Sequence, residues 1–340
     1  MMHFRRRLSH YFRGPKFDQA HQAKALFRSY YLAVKYFFYC LFLRYGLGKN
    51  VLGVVLIEHM GDIAAAEPIS RKIKSGRRDH IVWFARKEFC GLLRHNDRID
   101  KIQTVGCLTE TYALYRRNIF NRMFMLHHQG RVCPRCRKEL DKKENPRITV
   151  ENYYDHGSLL RGYCISGGLE PSDDAPRVYI SAAEKRLVSS LGLRSPYIVI
   201  HCLTNEESRN WTKEGWLCLL KELSDRNINV VEIGAKALAP QQPGSQYYDL
   251  CGKLTMLESA EVIRRAKLFV GVDSGPAHLA NAAGIPGVII LGSYRAFKKY
   301  NPYSGFYGGG GAALLNHHQK TAGEIGCQEV LAAVLQKYHE

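Results

Sequence analysis

At 340 residues the chain is longer than one hydrophobic core usually fills, and 46% hydrophobic content without a long low-complexity tract excludes wholesale disorder; two domains of about 150 residues are expected. The formal net charge of +18 suits anionic partners, among them phospholipid headgroups, nucleic acid and phosphorylated sugars. Ten cysteines are scattered along the chain with no cleavable signal segment before them, which argues against a secreted disulfide scaffold and for a reducing cytoplasm.

Residues 1–49 form a basic, aromatic arm. Ten Lys or Arg stand there against one acid, Asp18, a net +9 that is half of the whole excess. The stretch 26–48, LFRSYYLAVKYFFYCLFLRYGLG, is apolar but interrupted by Arg28, Lys35 and Arg44. A spanning helix needs about 20 nearly uninterrupted apolar residues, so crossing a bilayer is not expected. Two readings stay open: a helix lying in the membrane interface with its basic residues on anionic lipid, or a helix buried against the first domain. No helix-turn-helix or RNA-binding signature accompanies the charge, so nucleic acid is not an expected partner.

After Gly48 the run VLGVVLI at 51–57 leads to Gly61 and a helix-like stretch through Lys74, the strand, glycine turn and helix that open an α/β domain. Runs at 81–85 and 101–105 read as the next strands of a parallel sheet. A second alternation places strands at 196–201, 229–233, 268–272 and 288–291, and helices at 216–223, 257–266 and 277–283. The expected division is thus the arm 1–49, a first α/β domain 50–190 and a second 191–340. Ligands of such sheets sit beyond the carboxyl ends of the strands.

Between the first two blocks and the second series lies Cys133-Pro134-Arg135-Cys136, preceded by His127 and His128. This is half of a zinc site by spacing, which the two histidines would complete. The alternative is a basic loop with free thiols.

The strand at 268–272 runs into Asp273-Ser274-Gly275-Pro276, and the helix after it stops at Gly284. Pro276 fits a first helical turn, whose unpaired amides and dipole suit a diphosphate; Ser274 and Gly275 allow close approach. Asp273 would repel phosphate and suits sugar hydroxyls. The plainer reading is that Asp273 and Ser274 cap the helix.

Residues 260–293, and within them Asp273, Ser274, Gly275, His278 and Leu279, resemble the donor-binding region of glycosyltransferase family 9, the bacterial heptosyltransferases of lipopolysaccharide synthesis. The resemblance implies a GT-B fold: α/β, with two facing Rossmann-like doubly wound domains and a cleft between them. Residues 51–74 resemble the family's opening unit, and Met60-Gly61-Asp62 matches the motif with the proposed base. Asp62 is thereby the expected general base, with Glu58 and Glu67 as weaker candidates; a helix cap is its alternative role. Residues 201–216 resemble the family segment carrying a cation and two tryptophans, filled here by Arg209, Trp211 and Trp216, and Arg209 would neutralise a diphosphate.

Two further positions follow from the same resemblance. Gly234-Ala235-Lys236 has a lysine where those enzymes place a carboxylate for the ribose, and Lys cannot accept those hydrogen bonds, which leaves the nucleotide open between ADP and others. Residues 249–254 resemble the loop before the donor helix, with Thr255 a donor contact. The implied activity is inverting, metal-independent transfer from a nucleotide sugar to a lipopolysaccharide or other lipid-linked glycan, on the inner face of the cell membrane. No cofactor is required by that chemistry. The alternative is a non-catalytic protein of the same fold that binds a sugar nucleotide or a membrane.

Overall fold

The computed structural model describes residues 19–137, 139, 142, 145–238, 246–295, 297, 299–316 and 320–340; Arg5, Arg6, Arg7, Arg13 and Lys16 of the basic arm lie outside them. Helix α1 (Gln19–Leu41) leads into the first sheet, β1 (Asn50–Val55), β2 (Asp79–Ala85), β3 (Lys101–Thr104) and β4 (Arg122–Met125). All four are parallel, in the order β3-β2-β1-β4, with Val54 opposite both Trp83 and Phe124. Every residue of β1 after Asn50 is buried, as a strand covered on both faces requires. The helical stretch after β1 is broken into α2 (Met60–Ala65) and α3 (Pro68–Ile73), because Pro68 lacks the amide that would continue the first and begins the second without loss. Helices α4 (Tyr112–Arg116) and α5 (Leu159–Ser166) complete this half.

The second half opens with α6 (Ala182–Ser190), capped by Ser181. Arg265 donates to the Lys185 carbonyl and the Ser189 hydroxyl, both at 2.8 Å, so α6 packs on the second half, and the passage between halves falls earlier than residue 190. Its sheet holds β5 (Tyr197–His201), β6 (Asn229–Glu232), β7 (Tyr247–Asp249), β8 (Leu268–Val272), β9 (Gly287–Ile290) and β10 (Ala312–Leu315). These are parallel in the order β10-β9-β8-β5-β6-β7. Around it lie α7 (Lys213–Asp225), α8 (Met256–Arg264), α9 (Gly275–Ala283) and α10 (Cys327–His339). Strand order reverses between β1 and β4 in one sheet and between β5 and β8 in the other. The turns after those four strands are where α/β sheets hold ligands.

Three apolar clusters hold the layers. One covers the outer face of the first sheet with α1, another the outer face of the second with α7 and α10. The largest runs through both halves without interruption, from Leu52, Trp83 and Phe124 to Val199, Phe269 and Tyr303. Cys218 and Cys327 form a disulfide between α7 and α10, a pairing the scattered spacing did not suggest, and the other eight cysteines are thiols.

Helix α1 is buried along one face and exposed along the other. Ala25, Ser29, Leu32, Tyr36, Cys40 and Leu43 recur at three- and four-residue steps and are buried, with Tyr36 packed 5.3 Å from Phe84 and 5.5 Å from Phe120. The opposite stripe, Phe27, Tyr31, Val34, Phe38 and Tyr45, is exposed, Phe27 at 76% and Tyr45 at 83%. Lys24, Arg28 and Lys35 lie in a line along its flank. No helix among the described residues is long and apolar enough to cross a membrane.

After β4 the chain is pinned by a buried ammonium. Lys142 Nζ donates to the carbonyls of Met125 (2.7 Å), His127 (3.3 Å) and Ser166, and burial pushes its pKa down to about 8. Two buried imidazoles are held neutral. Burial lowers His201 to about 4; it lowers His128, flat between Tyr153 and Tyr163, to about 3. A folded-state value below the unfolded one means that the unfolded chain binds more protons, so stability present above pH 6.5 is lost as pH falls toward the folded values. Each imidazole is expected to withdraw about 2 kcal/mol between pH 7 and pH 5. Urea midpoints across that range measure it; an His201→Gln variant with an unchanged slope would contradict the assignment.

Candidate active site

The donor wall is the end of β8 and the start of α9. Asp273 follows the fully buried β8 and is itself buried, 3% exposed. Both of its oxygens are occupied: Oδ1 accepts from Tyr303 Oη at 3.0 Å, and Oδ2 accepts from Arg209 Nη1 at 3.0 Å and from Tyr300 Oη. Burial opposes the charge, but Arg209, His278 and these bonds hold the carboxyl below its usual range. Asp273, expected to meet sugar hydroxyls, is engaged here by three protein donors. It is a fixed anchor that positions Arg209.

Arg209 spends two of its donors on acids, Nη1 on Asp273 and Nη2 on Glu206 Oε2 at 3.0 Å, and lies 5.3 Å from the Tyr294 ring centroid. Burial works against its charge, yet Asp273, the tyrosines and Glu206 raise its pKa above the ordinary arginine value. Its Nε is buried with no protein partner. Trp211 and Trp216 are both buried and pack edge to face at 5.1 Å, Trp211 Nε1 donating to the Ile325 carbonyl at 2.7 Å; they shape the base of the Arg209 loop.

Ser274 stands at the N-cap of α9 but makes no capping bond, and its hydroxyl is buried without a partner. The plain capping reading of this turn fails on that point. Pro276 has no amide, so the open first-turn donors are the amides beside Ser274 and Gly275. His278 points its Nδ1, also unpartnered, from a buried ring 4.7 Å from Tyr303; burial lowers its pKa, against the pull of Asp273 4.0 Å away. A neutral imidazole, a free hydroxyl, a free guanidinium N–H and helix amides thus share one wall.

The opposite wall is the turn after β1. Asp62, at the third position of α2, accepts from the His59 amide at 3.1 Å through Oδ2 and from Tyr163 Oη at 2.5 Å through Oδ1. It therefore helps to cap α2, and remains partly exposed with a lone pair to spare on each oxygen. Glu58 is taken by Arg131, at 2.6 Å from both Nε and Nη2, and burial, with Asp62 nearby, pushes its pKa up to about 7 despite that cation. Glu67 is saturated by Arg71, the Arg177 amide and Tyr179 Oη, and so serves to fix the passage between halves. Of the three carboxylates weighed for the base, Asp62 alone keeps access to the cleft.

The two walls touch. A Cβ on Gly61 would come within 2.8 Å of the His278 ring, and one on Gly275 within 2.3 Å of the Met60 methyl. Glycine at both positions is what lets α2 and α9 meet. Beside that contact an aromatic chain crosses between halves: Tyr153 and Tyr154 lie 5.0 and 4.9 Å from Phe297, Tyr154 5.0 Å from Tyr300. Tyr163, Tyr300 and Tyr303, which hold the two central carboxylates, escaped the sequence reading. The only signal for them was the clustering of tyrosine at 153–163 and 294–307.

The remaining expected residues lie around this core. Gly234 has φ +145° and comes close to His201, leaving Lys236 exposed beside it; the nearest buried carboxylate, Glu232, is already used by the Leu238 amide and Tyr247. Thr255 caps α8, accepting from the Glu258 amide at 3.3 Å, so its hydroxyl is engaged within the helix cap. Cys133 and Cys136 do not meet the two histidines: His127 Nε2 accepts from the Ile57 amide at 3.0 Å and His128 Nδ1 pairs with Ser166 at 2.8 Å.

Residues 167–309 match the sequence pattern of glycosyltransferase family 9 (heptosyltransferase). The chain is 24% identical over 301 residues to lipopolysaccharide heptosyltransferase 1 of Campylobacter coli, covering 73% of this chain and 86% of that protein. It is 29% identical over 156 residues to the autotransporter heptosyltransferase Aah of Escherichia coli, a match to 43% of this chain and only 37% of that one. The fold superposes with a TM-score of 0.64 on a family 9 glycosyltransferase from Veillonella parvula, at 16% identity over 85% of this chain and 97% of the other. With E. coli ADP-heptose lps heptosyltransferase II the TM-score is 0.60, again at 16% identity, over 85% and 98%. Residues 167–309 thus carry the sequence pattern of glycosyltransferase family 9, and the chain shares the GT-B fold of the family 9 structures it superposes on.

Proposed function

We propose that the chain is an inverting glycosyltransferase that moves a heptose, or a sugar close to it, from a nucleotide diphosphate to a lipopolysaccharide-type acceptor. The observation that carries this reading is the position of Asp62, a partly open carboxylate, against the unpartnered donors of Ser274, Arg209 and the α9 turn. Asp62 takes the proton of the acceptor hydroxyl as its oxygen attacks the anomeric carbon. The bond from that carbon to the diphosphate breaks on the far side, so one displacement inverts the centre. The diphosphate keeps the electron pair at the α9 amides, the Ser274 hydroxyl and Arg209 Nε, which take up its charge without a metal ion.

Asp62→Asn is expected to lower kcat by about a hundredfold or more while donor binding stays within a few-fold, the scale of a lost general base. An Asn variant with unaltered turnover would remove Asp62 from the mechanism. A wild-type chain that binds donor and transfers nothing would leave the non-catalytic reading.

The relatives named for ADP-heptose favour an adenine nucleotide. ADP at about a hundred times its Kd stabilises the folded state by about 2.7 kcal/mol, enough to raise Tm by several degrees. GDP, UDP and CDP at the same concentration are expected to shift it less. Equal shifts for all four would mean that the base is not read, and a flat response to all would count against the donor site.

The acceptor is proposed to be lipid-linked, at the inner face of the cell membrane, because α1 presents an uncovered aromatic stripe with Lys24, Arg28 and Lys35 along its flank. The full chain is expected to co-sediment with vesicles containing phosphatidylglycerol and poorly with phosphatidylcholine alone. Replacing Phe27, Tyr31 and Phe38 by Ser is expected to abolish the co-sedimentation; retention by that variant would assign the stripe another role.

A further inference from the structure

Away from the cleft, three cysteine sulfurs converge from two separate segments. Cys107 lies just beyond β3, and Cys133 and Cys136 close the turn Cys133-Pro134-Arg135-Cys136 after β4. All three are buried, and their sulfurs lie within 4.8 Å of one another, Cys107 and Cys133 at 3.3 Å. Tetrahedral ligands with Zn–S bonds of about 2.3 Å stand about 3.8 Å apart, which this spacing matches. Neutral thiols are weak donors and weak acceptors and have little to gain from meeting in this way.

The sulfurs sit in a tight turn with cations beside it. The turn is a tight knuckle: the Arg137 amide donates to the Cys133 carbonyl at 2.9 Å, with Arg137 itself at φ +56°. The amides of Cys136 and Leu108 both point at the Cys133 sulfur. Arg86, Arg131 and Arg135 line the small cavity beside Cys107 and Cys133.

The fourth position would have to be filled from the start of α1, which packs along residues 108–111 but brings no ligand atom within the 4.8 Å at which the three sulfurs meet. Gln22 Nε2 donates to the Cys136 carbonyl at 3.1 Å, placing this end of the helix on the knuckle. The residue before it, His21, carries an Nε2 that is buried with no hydrogen-bond partner. An unmet buried nitrogen is costly, and metal coordination would satisfy it.

We propose that Cys107, Cys133 and Cys136, with His21 as the fourth ligand, hold a structural zinc ion. Binding exchanges three thiol protons, released to solvent, for one Zn2+, leaving a net charge of −1 beside the three arginines. Four protein ligands close the coordination sphere, so the ion has no place for substrate. Its task is mechanical: it ties α1, the turn after β3 and the segment after β4 at one point, and that segment carries Arg131 to Glu58.

Elemental analysis of the full chain, purified without chelator, tests this directly. About one zinc per chain is expected, released when a mercurial blocks the thiols. Zinc-free folded protein would overturn the proposal, as would peptide mapping that finds Cys107 and Cys133 joined as a disulfide; stoichiometric iron would overturn the choice of ion. Cobalt(II) substitution should give thiolate charge-transfer and tetrahedral d–d absorption. Cys136→Ser is expected to weaken metal binding by at least about a hundredfold, since even outer partners of a metal site reach that scale. Cys164→Ser, a buried thiol elsewhere, should change nothing. His21→Ala should keep the charge transfer and shift the d–d bands; a spectrum identical to wild type would exclude His21 as ligand.

Discussion

A carboxylate buried at the end of a central strand must be neutralised where it stands, and Asp273 imposes that demand on everything around it. Arg209 is drawn in from the loop after β5, Tyr300 and Tyr303 from the segment after β9, and His278 from the first turns of α9. Those partners fix three separate stretches of chain about one point. What is left over from their hydrogen bonding includes a guanidinium N–H and the Ser274 hydroxyl, on the α9 side that meets Met60 and Gly61. The site is thus built from the surplus of a structural cluster.

The same economy of position governs the other wall. Asp62 is held by a backbone amide and by Tyr163, and Tyr163 stacks on His128, which in turn stacks on Tyr153. The aromatic chain then passes to Phe297 and Tyr300. Asp62 and the α9 turn are therefore linked through a continuous run of rings as well as through the direct contact at Gly61 and Gly275. Rigid supports of this kind are what a displacement at one carbon requires, since small misplacements are costly in rate.

Much of this was legible in the sequence, for reasons that differ by element. Central strands such as β1, β5 and β8 are buried on both faces and read as unbroken apolar runs. The strands that escaped, β4, β7 and β10, all lie at sheet edges, where half-exposure leaves no such run. Asp62 and Arg209 are singled out only by the resemblance of their segments to a known family, and the α9 turn by its place after a recognisable strand. Their partners could not be found so, because Tyr163 and Tyr300 are joined to them across 101 and 27 residues of chain and carry no local pattern. The partners of Asp273, namely Arg209, Tyr300 and Tyr303, come from distant stretches that a sequence does not bring together. Cys133 and Cys136 were seen as half a ligand set, but Cys107, 26 residues upstream, adjoins them only in three dimensions.

The apolar cluster that crosses from one sheet to the other has a consequence for how this protein moves. Leu52 and Trp83 of one half share a continuous packed interior with Val199 and Phe269 of the other, on the faces that their own outer clusters leave open. Separating them would expose that interior to water at a cost of about 25 cal/mol for each Å² uncovered. A rigid-body parting of the halves therefore works against this shared interior, and any movement at the cleft is restrained by it.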